Sequence, residues 1–430
     1  MKDPILFRRT DTLSPETAAY WKDLLYRVVK VGVELEVAPQ KGMKRPLFED
    51  NIRQTLAPSG SVTRLGKNGV WDVQTEHCGV EIRVIGRHPY FPALQDQYKA
   101  IMDVLIQQGA RPRATCGLHY HLLAPDLAEP MPEIIVANLW NLTRRYAPEL
   151  KFIASAGESR ESLCRRRNHN SHLEMMRRSP GSQSMANIQR LLKDSRIVPE
   201  HQNFLNLEHL GFTKTGDVFP FHLEFRYPDV HLSATAVTTT TFLFLAMLLK
   251  AVDLSRYGVI HVGKIQPWQR KREIMDLLSN NNGRLATSDT SEINDNIIEE
   301  LRQGAYELLD LLAPAFGRFE NNPALDVLLS LAETPISLMR CAGYDWRQVE
   351  TTLAERAAIN EMGLDQTDQQ LMQRIELGEW AGQASTAAWQ WHAARELLLT
   401  PADLERRLEK LQQLRGLRWD VRQGSMVFTS

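Results

Sequence analysis

Four short runs place titratable side chains at alternate positions, the spacing by which a β-strand carries them on one face about 6–7 Å apart. In Val31-Gly32-Val33-Glu34-Leu35-Glu36-Val37, Glu34 and Glu36 share one face while the valines and Leu35 share the other. In Gly79-Val80-Glu81-Ile82-Arg83-Val84-Ile85, Glu81 and Arg83 share a face. In Cys116-Gly117-Leu118-His119-Tyr120-His121-Leu122 the pair is His119 and His121. In Phe221-His222-Leu223-Glu224-Phe225-Arg226-Tyr227, it is His222, Glu224 and Arg226 that oppose an aromatic and apolar face. Each run alone can be read as a half-exposed strand with a solvated polar side. A His-x-His pair in an apolar strand and a His-x-Glu-x-Arg strand are harder to assign to solvent, because both present groups suited to one centre.

Placed side by side, these strands would form a floor of carboxylates, imidazoles and guanidinium groups. Clustered carboxylates repel one another unless cations offset them. An oxygen-rich donor set with limited imidazole suits Mg²⁺ or Mn²⁺ better than structural zinc. Such ions commonly bridge nucleotide phosphates, so the residues suggest metal-dependent phosphoryl chemistry. No Walker loop or Gly-x-Gly-x-x-Gly fingerprint is present, so a nucleotide would be held through metals and arginines.

The elements that must position these groups are mixed. Between Arg27 and Tyr257, alternating runs are interspersed with helical ones. From about Ile265, helix formers dominate, and Asn294–Leu312, Trp346–Ile359, Thr367–Ile375 and Pro401–Leu414 are expected to be helices. The 430 residues exceed one compact core. The expected division is a leader over 1–26 that turns helical near Pro15, a catalytic domain over 27–260, and a helical region over 261–430. A loop is expected at Ser279-Asn280-Asn281-Asn282-Gly283. The uncharged stretch Leu232–Leu249 contains a serine and several threonines and is expected to be a buried core helix, not a membrane span.

Composition sets further limits. Hydrophobic residues make up 43% and charged residues 24%, ordinary for a globular chain, and the net charge of -1 offers no field for nucleic acid or an anionic membrane. The four cysteines are widely spaced with no Cys-x-x-Cys pair, so no disulfide framework is expected. The first residues lack an apolar signal-peptide core, and a cytoplasmic location is expected.

The order of the motifs resembles the carboxylate–amine ligase superfamily that includes glutamine synthetase and glutamate–cysteine ligase. Within it the likeness is to the amidoligases: GVELEV, then WDVQTEH leading into GVEIRV, then CGLHYHL, then LNL followed by HLEFRYP, over roughly residues 27–255. That resemblance implies an α+β fold with a glutamine-synthetase-like antiparallel sheet, with ATP and Mg²⁺ or Mn²⁺ as cofactors. It implies amide or isopeptide bond formation through an acyl phosphate. Glu34, Glu36, Glu81, His119 and Glu224 then correspond to metal ligands, and His121 to a contact with ATP. Arg226 corresponds to the arginine facing the transferred phosphate, and Asn206 to an asparagine that precedes the Glu-x-Arg strand. Glu224 and Glu81 join Arg226 as the catalytic set. Carboxylate and amine substrates are implied, whether small molecules, peptides or proteins, as is the option of a homo-oligomer. The sequence departs from the amidoligase pattern in two places. Thr75-Glu76-His77-Cys78 replaces an acidic turn, with Glu76 standing in for its acid, and Arg83-Val84-Ile85-Gly86 replaces a Ser-Pro ending.

The basic run Arg165-Arg166-Arg167 is either a solvated loop or an anion clamp in which Arg165 and Arg167 bind ATP phosphate or a substrate carboxylate. Trp380, Trp389 and Trp391 are expected to be core. Two other readings of the site stand beside the ligase: a cupin-like metal enzyme, prompted by His-x-His, and a non-catalytic binding or scaffold protein that keeps the fold.

Overall fold

The computed structural model describes residues 5–8, 12–56, 71–76, 78–113, 116–154, 205–206, 209–211, 213–214, 217–226, 228–261, 291–319, 322–361, 366–397, 399–415 and 417–428. In chain order the elements of the first part are β1 (Leu6–Arg8), α1 (Pro15–Val28), β2 (Lys30–Val37), α2 (Arg45–Leu56), β3 (Trp71–Thr75), β4 (Val80–Arg87), α3 (Phe91–Gln107), β5 (Leu118–Leu123), α4 (Glu133–Arg145) and α5 (Ala147–Ala154). They continue with β6 (Leu205–Asn206), β7 (His222–Phe225), α6 (Ala234–Leu254), β8 (Val259–His261), α7 (Ser291–Phe316), α8 (Ala324–Glu333), α9 (Ile336–Cys341) and α10 (Trp346–Glu361). Then come α11 (Gln366–Glu376), α12 (Thr386–Glu396), α13 (Pro401–Arg415), β9 (Leu417–Asp420) and β10 (Ser425–Phe428). The chain is α+β, as expected.

Six strands form one sheet in the order β3-β4-β2-β5-β7-β6, and every pairing is antiparallel. The four strands with polar faces are therefore consecutive: β4, β2, β5, β7. Their apolar residues point the other way. Tyr120 of β5 and Phe225 of β7 both pack on Phe244 of α6, with ring centroids 5.2 Å and 4.0 Å away. Phe91, at the start of α3, packs on Phe242 of the same helix. One face of the sheet is thus closed by helices, and the polar face is left to build a site.

The Thr-rich stretch forms α6, a 21-residue helix long and apolar enough to cross a membrane by length and composition, yet almost wholly buried within the chain. Two of its threonines find partners on the helix itself: Thr238 donates to the carbonyl of Ala234 and Thr241 to that of Val237. Ser233 caps its start by accepting from the amide of Ala236. Glu350 reinforces the same end, accepting from the Ser233 hydroxyl at 2.6 Å and from the Thr235 amide at 3.1 Å. A carboxylate there complements the partial positive charge of the helix terminus.

The chain divides into two compact units at Ala354/Glu355. The helical region expected from residue 261 onward is shared between them, because α7 and α8 pack on α5 and α6 inside the first unit. All four helices expected in that region are present, each extended slightly beyond its expected limits. The loop expected at 279–283 lies outside the described residues. The second unit has its own core, with Leu371, Ile375, Trp389, Leu404, Leu411 and Leu417 buried together and Trp380 edge-on to Trp389 at 5.3 Å. It ends in the β9–β10 hairpin. Trp391 departs from the expectation of core: it is 57% exposed, since two residues along a helix from buried Trp389 is the far side of the cylinder.

Candidate active site

Strand register sets the geometry. Glu34 lies opposite Arg83 on one side and His119 on the other, and Glu36 lies opposite Glu81. Across the next pairings His121 lies opposite Glu224, and Asn206 lies opposite Glu224 from the edge strand. Side chains directly opposite on one face are within contact reach, so the register alone gathers the predicted residues.

The side chains close two overlapping groups. Glu34, His119 and Glu224 offer ligand atoms that all lie within 4.8 Å of one another, and so do Glu36, Glu81 and His119. His119 is common to both. Its Nδ1 lies 3.1 Å from Glu34 Oε2 and 3.2 Å from Glu224 Oε1. Glu36 Oε2 accepts from the amide of Gly117 at 2.6 Å and from the thiol of Cys78 at 3.8 Å. The five expected metal ligands thus meet in one place.

Two arginines lie over this floor. Arg226 Nη1 is 2.6 Å from Glu224 Oε1, and Arg83 Nη2 is 2.8 Å from Glu81 Oε2. Arg83 Nε also reaches Glu34 Oε1 at 3.4 Å. The alternation pairs Arg83 only with Glu81; its reach to Glu34 follows from the strand order, which the sequence does not state. Asn206 donates to Glu224 Oε2 at 2.8 Å, so it meets the site through that carboxylate. His121 belongs to neither ligand group. Its Nδ1 is 2.9 Å from His222 Nε2, and its Nε2 is 3.6 Å from Glu34 Oε1. His209, which the sequence reading did not single out, stacks on His222 at 4.7 Å. Arg165 and Arg167 lie outside the described residues.

The electrostatics separate the carboxylates. Burial opposes ionisation of Glu34, but hydrogen bonds and charge from His119 and His121 outweigh it and hold the group well below the usual carboxylate range. Glu224 is likewise buried, yet His119, Arg226 and the Asn206 hydrogen bond bring it down to about 2. Glu81 goes the other way. Burial and the nearby Glu34 carboxylate outweigh Arg83 and push it up to about 8. Burial and the neighbouring His121 and His209 lower His222 to about 4.

Glu81 supplies the fit test for a cation. Burial and the Glu34 carboxylate outweigh Arg83 at 2.8 Å and push this carboxyl up to about 8, so a further cation beside it would be favoured. Four carboxylates and one imidazole in two overlapping sets match the donor preferences of Mg²⁺ or Mn²⁺.

No family model and no curated protein matches the chain. Among solved structures, one similar chain comes from the crystal structure of the complex between the prokaryotic ubiquitin-like protein Pup and its ligase PafA. Its identity to this chain is 11%, it covers 79% of this chain and 70% of its own, and the TM-score is 0.36. A backbone likeness that loose does not define a function. What the chain itself defines is an α+β protein with two overlapping candidate divalent-cation groups on the polar face of an antiparallel sheet.

Proposed function

We propose that this chain is an ATP-dependent carboxylate–amine ligase with a glutamine-synthetase-like sheet. The observation that carries the reading is the consecutive order of the Glu-x-Arg, Glu-x-Glu, His-x-His and Glu-x-Arg strands, whose register gathers all five expected metal ligands. In the reaction a substrate carboxylate attacks the γ-phosphorus of ATP, giving an acyl phosphate and ADP. An amine then attacks the acyl carbon, expels phosphate and loses a proton, leaving an amide or isopeptide bond.

Glu34, Glu36, Glu81, His119 and Glu224 would hold Mg²⁺ or Mn²⁺, which when bound supplies charge to offset the phosphates. Arg226, at the rim of the Glu224 cluster, faces the transferred phosphate with a guanidinium fork. Asn206 fixes the orientation of Glu224, as partners behind a metal ligand commonly do. His121, whose Nδ1 is 2.9 Å from His222 Nε2, would contact the nucleotide.

The cupin-like reading fits less well. Among the described residues the ligand groups include His119 and not His121, whose Nδ1 instead meets His222. Among the described residues the sheet also keeps open edges at β3 and β6. Calorimetric titration of a non-hydrolysable ATP analogue with Mg²⁺ or Mn²⁺ tests the proposal. Metal-dependent binding that Glu36→Ala weakens supports it. Absence of binding with either metal would return the chain to a metal enzyme or scaffold.

A further inference from the structure

The two strands that flank β2 and β5 carry the same three-residue pattern. On β4 it is Glu81-Ile82-Arg83, and from β7 it is Glu224-Phe225-Arg226. In both, the guanidinium folds back on the carboxylate two residues earlier, at 2.8 Å for Arg83 and 2.6 Å for Arg226. Each carboxylate belongs to a different candidate cation group: Glu224 sits with Glu34 and His119, and Glu81 with Glu36 and His119. The site therefore has one Glu-x-Arg arm for each group.

A reaction of the proposed kind must hold two anions, the triphosphate and the carboxylate to be joined. In the proposed function Arg226 would face the first. Resting on that ligase reading, we infer that Arg83 is the clamp for the substrate's carboxylate and so sets its preference for an acidic group. The position supports this. Arg83 spans from Glu81 to Glu34 across two strands, which puts its head over the floor and not at the edge of the sheet. Its side chain is 30% exposed, more than the 18% of Arg226. A cation taken up by Glu36, Glu81 and His119 competes with the guanidinium for Glu81. Released from that oxygen, the planar fork can pair with a carboxylate in two parallel hydrogen bonds, which an ammonium group cannot do.

The test uses the whole protein loaded with Mn²⁺ and a non-hydrolysable ATP analogue, with occupancy followed by electron paramagnetic resonance. Paramagnetic broadening of ¹³C-acetate reports a carboxylate near the metals, and broadening of the analogue's ³¹P signals reports the nucleotide. Arg83→Gln should cut the acetate effect at least fivefold and leave the phosphorus signals within twofold of wild type. Arg226→Gln should do the reverse. Arg83→Lys keeps the charge without the fork and should recover only part of the acetate effect, which separates clamping from bulk charge. Equal acetate broadening in wild type and Arg83→Gln, or loss of the phosphorus effect in Arg83→Gln, overturns the clamp alone. A wild type that binds no Mn²⁺-dependent nucleotide overturns the ligase reading and the clamp together.

Discussion

His119 Nδ1 lies 3.1 Å from Glu34 and 3.2 Å from Glu224, so one imidazole joins the carboxylates of two non-adjacent strands, β2 and β7. The same ring contributes to the Glu36–Glu81 group. A residue shared in this way couples the two halves of the floor.

The first prediction follows from that sharing. His119→Ala should weaken Mn²⁺ binding at both sites by at least about tenfold, since even partners behind a metal ligand are worth about 10–100-fold. Glu36→Gln should weaken one site and largely spare the other. A Mn²⁺ titration followed by electron paramagnetic resonance distinguishes them. Loss of a single site in His119→Ala would mean the imidazole serves only one group.

Glu81 gives the pH dependence. In the folded chain it keeps its proton up to about pH 8, whereas its ordinary value is 4.5. Between these values the folded state binds more protons than the unfolded state. The stability of the metal-free protein therefore falls as pH rises through this window, by at most about 1.4 kcal/mol per unit from this group. A cation displaces the proton, so Mn²⁺ affinity should rise from pH 6.5 to 8 and the thermal stability lost by the metal-free form should return when metal is added. Melting curves with and without Mn²⁺ at pH 6, 7 and 8 check both halves. A metal-free protein that becomes more stable over this range would contradict the assignment.

Asn206 acts through Glu224, and its removal should show it. Asn206→Ala takes away the 2.8 Å hydrogen bond that orients the carboxylate. Metal affinity should fall about 10–100-fold while the fold persists. Asn206→Asp should be worse, because a second carboxylate then faces Glu224 across the β6–β7 pair. Calorimetric metal binding on both variants is the check; equal effects would indicate that charge at this position is irrelevant.

These outcomes also show what the sequence could convey. The alternation in β2, β4, β5 and β7 identified the polar faces because a pleated strand has a strict period of two. It could not give the strand order. The sheet runs β4-β2-β5-β7, which places Arg83 over Glu34 and makes it part of the floor, although the local pattern paired it only with Glu81. His209 was illegible for a related reason, since it reaches the site by stacking on His222 from a segment without alternation. Helix α6 was legible because its uncharged run is continuous, and two of its threonines, Thr238 and Thr241, bond to the preceding turn. The division at Ala354/Glu355 was hidden because it falls within the continuous helix α10, and only packing assigns α7 and α8 to the first unit.

The last prediction concerns the backbone that holds Glu36 against Glu81. Gly79 precedes β4, and a Cβ there would lie 2.1 Å from the carbonyl oxygen of Val37 and 2.9 Å from the Cα of Ala38. Both obstacles are backbone, so no side chain can turn aside to make room. Gly79→Ala must push the start of β4 away from the end of β2, and the nearest pairs in register are Val37 with Val80 and Glu36 with Glu81. The Glu34–His119–Glu224 group lies further along β2 on pairings with β5 and β7 that the change does not touch. Gly79→Ala should therefore bind one Mn²⁺ with near wild-type affinity and lose the other, with a stability loss of about 1–3 kcal/mol from the forced backbone shift. Denaturant melts combined with a Mn²⁺ stoichiometry measurement check it. Two intact sites in this variant would show that the β2–β4 register does not control the Glu36–Glu81 group.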